Sequence, residues 1–213
     1  INFSVPTGNF GDVYAGYLAK KMGLPINKLI VATNDNDILH RAISKGAYEV
    51  KKVFETLSPS MDIQVASNFE RLIFDVSSFD SSKTLKLMND LNDKGEFKLQ
   101  EEELKKIRES FFSESLSDSE TKSIINEIYN NEKILIDPHT AVGIGVTKKV
   151  SPKGTTIVLA TAHPSKFSDV VMKETNVRPD LPENLKNILV KKEKYEILPK
   201  DLKMIQNYIL EKV

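Results

Sequence analysis

Thr7-Gly8-Asn9-Phe10-Gly11-Asp12 joins a short β-branched and aromatic run, residues 1–6, to a helical pattern. A loop in that position carries the unpaired N–H groups and positive dipole end of the helix, a setting that favours an anion such as phosphate. Gly8 and Gly11 flank Asn9-Phe10 and leave the backbone free of Cβ atoms where a phosphate would approach. The spacing is neither a Walker loop nor a dinucleotide fingerprint. A tight strand–helix turn that binds nothing explains the same residues.

Two further clusters could carry chemistry. In Leu159-Ala160-Thr161-Ala162-His163-Pro164 the spacing puts the Thr161 hydroxyl at the C-terminal edge of a strand, on the same sheet edge as the Gly8–Gly11 loop. There it either meets a ligand or caps the helix that Pro164 opens. Asp137-Pro138-His139-Thr140-Ala141-Val142-Gly143-Ile144-Gly145 is a poor helix by propensity, of a kind found pressed against a sheet or a ligand. His139 is a ligand-facing acid or base, or it caps and packs. His40 reads as a solvated surface residue. Lys166 is the nearest to a nucleophilic lysine, although its surroundings are not the apolar ones that depress an amine pKa.

Composition removes other chemistries. The 213 residues carry 30 Lys+Arg against 30 Asp+Glu, a balance with no polyanion-binding footprint, so no nucleic-acid partner is expected. No apolar run approaches the roughly 18 residues that span a bilayer, so no membrane partner is expected either. With no cysteine there is no disulfide framework or thiolate metal site, and three histidines (His40, His139, His163) are too scattered for a metal cage. No metal is expected.

The elements that position these clusters alternate. After the first strand comes a helix with Val13, Tyr17, Leu18 and Met22 on one side, stopped by Gly23-Leu24-Pro25. Residues 28–33 form a buried-type strand, and Asn34 or Asp35 then caps a helix carrying Ile38, Leu39, Ala42 and Ile43 that Gly46 closes. Ser58-Pro59-Ser60 opens a third helix through Ile63, Ala66, Phe69, Leu72 and Ile73. Residues 80–132 hold 13 acidic and 8 basic side chains with no strand-like run, and read as a polar helical insertion outside the main sheet. The alternation resumes with a strand at Lys133–Ile136, a helix from about His139, a strand at Thr155–Ala160 and a helix after Pro164. Two helical stretches near 182–190 and 199–212 complete the chain. This order implies an α/β fold, a parallel sheet with helices on both faces plus a helical insertion. The parts are 1–77 and 133–175 as the α/β domain, 78–132 as the insertion and 176–213 as a helical tail. Because the chain opens on Ile1-Asn2-Phe3-Ser4-Val5, it reads as a piece of something longer.

These stretches together resemble threonine synthase, a pyridoxal-phosphate enzyme of fold type II, the tryptophan-synthase-β type. The resemblance runs through Val5–Asp12 and Ala15–Pro25, then Ala32-Thr33-Asn34-Asp35-Asn36-Asp37-Ile38-Leu39, Thr56–Ile63 and Ser67-Asn68-Phe69-Glu70-Arg71. It ends in Asp137–Gly143 and Thr161-Ala162-His163-Pro164-Ser165-Lys166-Phe167. The resemblance implies that Gly8, Asn9, Phe10, Gly11 and Asp12 hold the phosphate of pyridoxal 5′-phosphate and that Thr161 faces its pyridine nitrogen. It implies a cytoplasmic enzyme that converts O-phospho-L-homoserine and water to L-threonine and phosphate, the last step of threonine biosynthesis.

No position matches the family's Schiff-base lysine, which is expected in an N-terminal half of the same enzyme. The chain resembles the C-terminal half, so by itself it is expected to be inactive and to carry no catalytic residue. A related phospho-lyase that eliminates phosphate without making threonine, and a non-catalytic module that binds a phosphate-bearing ligand, stay open.

Overall fold

The structure is a computed structural model, and it describes residues 1–212. Residues Ile1–Pro179 and Asp180–Val213 form two compact units. In the first, the order is β1 (Asn2–Pro6), α1 (Gly11–Lys21), β2 (Leu29–Thr33), α2 (Ile38–Lys45), β3 (Ala47–Glu49), α3 (Phe69–Val76) and α4 (Ser81–Lys94). There follow β4 (Glu96–Lys98), α5 (Glu101–Ser110), β5 (Phe111–Ser115), α6 (Asp118–Glu132), α7 (Pro138–Val150), β6 (Thr156–Val158) and α8 (Ser168–Thr175). The second unit holds two short 3-10 turns, Glu183–Leu185 and Ile188–Val190, and the helix α9 (Leu202–Lys212).

Four strands pair in parallel in the order β5-β2-β1-β6. Strand β2 is buried along its whole length, as a strand covered on both faces must be. Its side chains alternate between two cores. Leu29 and Val31 enter one with Phe10, Val13 and Phe111. Ile30 and Ala32 enter the other with Leu116, Ile125, Ala141, Val142 and Val146. The period of two therefore shows in the destination of each residue and not in its polarity. Beside this sheet, β3 and β4 form an antiparallel pair, where Tyr48 stacks between Phe97 (centroids 4.7 Å apart) and Phe69 (5.4 Å).

Several expectations are corrected. The stretch 78–132 is not outside the sheet: β5 is its edge strand, paired with β2 from Leu29↔Phe111 to Thr33↔Ser115. Only Phe111 of β5 is fully buried, so an edge strand written Phe-Phe-Ser-Glu-Ser lacks a buried-strand signature. The strand expected at Lys133–Ile136 is irregular chain. Lys133 has a left-handed φ of 59° at the end of α6, and Ile136 is apolar because it enters the second core. On α1, Val13 and Tyr17 are buried as read, but Leu18 and Met22 are exposed.

The helix expected to run from Ser58 shrinks to a 3-10 turn, Pro59–Met61, and α3 begins only at Phe69. A polar network takes over the chain between them. Asp62 accepts from Thr56 N (2.9 Å) and Oγ1 (2.7 Å), and from the side-chain amides of Asn34 (2.8 Å) and Asn36 (3.0 Å). Asn34 is thereby engaged away from α2, whose N-cap is Asp37 and not Asn34 or Asp35.

Candidate functional site

The C-terminal ends of β1 and β6 and the N-termini of α1 and α7 surround a cavity of about 360 Å3. Gly8, Asn9, Phe10, Gly11, Asp12 and Thr161 all line it, so the residues singled out from sequence share one space. Ser60, Met61, Asn68, His139 and Lys166 line it as well.

The loop before α1 is built by close contacts. A Cβ on Gly8 would stand 2.9 Å from the Ser60 carbonyl oxygen and 3.0 Å from Met61 Cα, so only glycine lets the loop lie against the turn Pro59–Met61. Thr7 fixes the entry, donating from N to the Ala32 carbonyl (2.8 Å) and from Oγ1 to the Val5 carbonyl (2.5 Å). Asn9 fastens the middle. Its Oδ1 accepts from Ser67 N (2.6 Å) and Oγ (2.9 Å), and its carbonyl accepts from Asn68 Nδ2 (3.1 Å).

The left-handed residue of this loop is Phe10, φ 65°, and not one of its glycines. A bulky residue there costs about 1 kcal/mol or more. The ring meets that cost by being 1 % exposed, with its centroid 5.1 Å from Phe69 and 5.7 Å from Phe111. Phe10 is also the N-cap of α1, and its side chain supplies no cap hydrogen bond. The first-turn N–H groups of α1, which have no intrahelical partner, are thus left to an external acceptor. Gly11 and Asp12 are exposed, and the surroundings suit an anion.

The helix α7 meets the cavity differently. Asp137 Oδ1 accepts from His139 N and from His139 Nδ1, both at 2.9 Å, while Oδ2 accepts from Thr140 N (3.3 Å) and from Thr140 Oγ1. Burial pushes the Asp137 carboxyl up, but the bonds from His139 and Thr140 outweigh it and hold the group below the usual carboxylate range. The geometry carries the packing reading of His139: it sits at a capped helix end, bonded to Asp137, and the residue borders the cavity. The poor helix formers also have their reason. A Cβ on Gly143 would lie 2.8 Å from Val158 Cγ1 and 3.3 Å from Pro6 Cγ, and one on Gly145 2.5 Å from Leu116 Cδ2. Helix α7 presses onto the sheet there, and the Gly143 carbonyl accepts from Ser4 Oγ at 2.9 Å.

Thr161 lies in the loop after β6 and its side chain makes no cap; His163 caps the turn Pro164–Phe167, accepting from Ser165 N at 3.2 Å. Ser60, Met61 and Asn68 are not among the site residues that the sequence singles out. The signal for the first two is Gly8, whose lack of a side chain demands a close neighbour. Among the described residues no cluster of His, Cys, Asp and Glu could hold a metal ion.

Comparisons with known proteins agree on one family. Residues 140–209 match the family model described as threonine synthase, C-terminal. A curated threonine synthase from Pseudomonas aeruginosa is 41% identical over 98% of this chain and 45% of its own length. That of Saccharomyces cerevisiae is 39% identical over 100% and 47%. The crystal structure of PLP-bound threonine synthase from Brucella melitensis superposes with a TM-score of 0.91 at 44% identity, covering 99% of this chain and 46% of that one. The chain thus spans about half the length of the curated relatives it matches. Its α/β architecture, with a parallel sheet flanked by helices, is the one the resemblance implied. With fold, motif blocks and relatives in accord over nearly every residue, the chain belongs to the threonine synthase family, in the part described as C-terminal.

Proposed function

We propose that this chain is the cofactor-binding C-terminal portion of a threonine synthase, in which pyridoxal 5′-phosphate occupies the cavity between α1 and α7. The observation that carries the reading is the uncapped N-terminus of α1, opening on the same cavity as Thr161. The residues present fit the group. Gly8 leaves a cradle that a Cβ would fill, the first turn of α1 offers N–H donors to a phosphate, and Thr161 offers a hydroxyl to a ring nitrogen.

When bound, the cofactor supplies an electron sink for carbanion chemistry on an amino acid. Gly8–Asp12 hold its phosphate through backbone N–H groups, and the Asn9–Ser67 bonds keep that loop in place. Thr161 orients the ring. A hydroxyl, unlike a carboxylate, does not hold the ring nitrogen protonated, so the sink is weaker and the site favours elimination and replacement. The contacts come from residues 1–77 and 133–175. The Schiff-base lysine is supplied by an N-terminal half, without which the chain is inactive.

The reaction proposed for the whole protein is O-phospho-L-homoserine plus water to L-threonine and phosphate, in the cytoplasm. No helix among the described residues is long and apolar enough to cross a membrane. The test uses the full-length protein with O-phospho-L-homoserine. Equal amounts of threonine and phosphate are expected, both lost in G11D. 2-Oxobutyrate in place of threonine identifies a phospho-lyase, and cofactor binding without turnover identifies a binding module.

A further inference from the structure

Asp62 stands at one end of the turn Pro59–Met61, whose Ser60 and Met61 line the cavity. Its carboxyl reaches past the turn to the chain that follows β2. Oδ1 accepts from the side-chain amides of Asn34 (2.8 Å) and Asn36 (3.0 Å) and from Thr56 Oγ1 (2.7 Å), and Oδ2 accepts from Thr56 N (2.9 Å). The other end of the turn is tied to the same place, since Asn34 Nδ2 donates to Ser58 Oγ at 3.0 Å. Asn34, Asn36 and Ser58 are at most 2% exposed, which shields these bonds from water. Strand β2 pairs with β1 from Phe3↔Leu29 to Pro6↔Ala32. One strand therefore leads into the Gly8 loop, and its neighbour leads into the anchor of the turn on which that loop rests. The contact between loop and turn has no slack, with the Ser60 carbonyl oxygen 2.9 Å and Met61 Cα 3.0 Å from where a Gly8 Cβ would be. Within the turn Met61 N donates to the Ser58 carbonyl (2.9 Å) and Asp62 N to the Pro59 carbonyl (3.1 Å), so a shift of Asp62 carries Ser60 with it.

We infer that Asp62 is a positioning residue for the cofactor site: it holds Ser60 and Met61 against Gly8 and thereby sets where the first turn of α1 meets the cofactor phosphate. The inference rests on the cofactor reading given above and adds to it a residue that lies outside the cavity lining. A carboxyl that served folding alone would lower stability when lost and leave the bound phosphate where it was.

The test compares the full-length protein with its D62N variant, which keeps the size of the side chain and turns one acceptor into a donor. Phosphorus-31 NMR of bound pyridoxal 5′-phosphate reads the surroundings of the phosphate, and equilibrium titration reads the affinity. D62N is expected to move the phosphorus signal and to weaken binding roughly fivefold to tenfold. In a double-mutant cycle with G8A, which breaks the same contact from the loop side, D62N should weaken binding less than it does in wild type. If D62N does not fold, T56V carries the test. It removes only the Thr56 hydroxyl from the network, and a shifted signal with roughly twofold to threefold weaker binding is expected. If the folded variant binds as wild type does with its phosphorus signal in place, or if its effect simply adds to that of G8A, the inference is overturned while the cofactor reading stands. If wild type does not bind pyridoxal 5′-phosphate, the cofactor reading fails and this inference fails with it.

Discussion

Two helix N-termini face one cavity, and they are finished in opposite ways. At α7, Asp137 fills the end with a buried carboxylate that satisfies two backbone N–H groups and two side-chain donors. At α1, Phe10 caps with backbone alone, held in a left-handed conformation by its buried ring, and the first turn stays open. One N-terminus is filled by the protein's own carboxylate, and at the other, where the cofactor phosphate is proposed to bind, the chain supplies no side-chain cap. A helix N-terminus alone therefore says little about binding; whether the chain supplies its own anion decides it.

The sharpest way to break this contrast is to close the open end. G11D places a carboxylate where the ligand's phosphate would sit. Like charges about 4 Å apart near a protein surface repel by several kcal/mol, so affinity for pyridoxal 5′-phosphate should fall on the order of a hundredfold or more. Equilibrium binding to the full-length protein measures it, and unchanged affinity would remove α1 as the phosphate site. Opening the closed end should act on stability. D137A removes a cap and strands buried donors of His139 and Thr140, a loss of about 2–4 kcal/mol by urea unfolding.

The pH dependence of the same carboxyl gives a check with a sign. Its folded pKa lies below the usual 3.8, so its contribution is full above that value and is lost as pH falls through the folded pKa. The stability gap between wild type and D137N should accordingly narrow in acid below about pH 4, where wild type loses what the variant never had. A constant gap would mean that the capping carboxylate is not ionised in the folded protein.

Next in size is the seating of α7. G143A drives a Cβ into Val158 and Pro6 and should cost about 1–3 kcal/mol. G145A puts its Cβ 2.5 Å from Cδ2 and 3.2 Å from Cγ of Leu116, which is itself packed in the second core, and should cost at least as much. Comparing the two denaturation midpoints tests whether α7 is held as hard against Leu116 as against Val158 and Pro6. The smallest effect belongs to Lys149, which donates to Glu120 at 2.8 Å on the surface of α6. Its hydrogen bond is the main reason the Glu120 carboxyl is pulled down to about 2. Both side chains are over a third exposed, so K149M should cost under about 1 kcal/mol, an increment that disappears as pH falls from 4.5 toward 2.

Much of this was readable beforehand, for reasons that differ by region. The course of the loop Thr7–Asp12 was legible because a strand-to-helix turn needs only local features: glycines, a strand before and a helix after. Helix α7 was half legible, since its glycines announced close packing but not against what. Strand β5 was not legible. An edge strand with one buried residue looks polar, and its pairing partner β2 is about 80 residues away in sequence. The segment after Ser58 misled for a related reason: its apolar spacing suits a helix, while its Asp62 is captured by Asn34, Asn36 and Thr56.

What the sequence determined by itself is the alternation of strands and helices, the doubly buried β2, and the loop whose backbone is free to approach an anion. These depend on periodicity, turn chemistry and glycine, which act over a few neighbouring residues. What only the tertiary structure decided is which helix end stays open and which is filled. That choice depends on Phe10 finding Phe69 and Phe111, on Gly8 meeting Ser60, and on α7 lying close enough to β1 and β6 to bring His139 into the same cavity. Such contacts join residues far apart in the chain, and packing fixes them only when every element is in place.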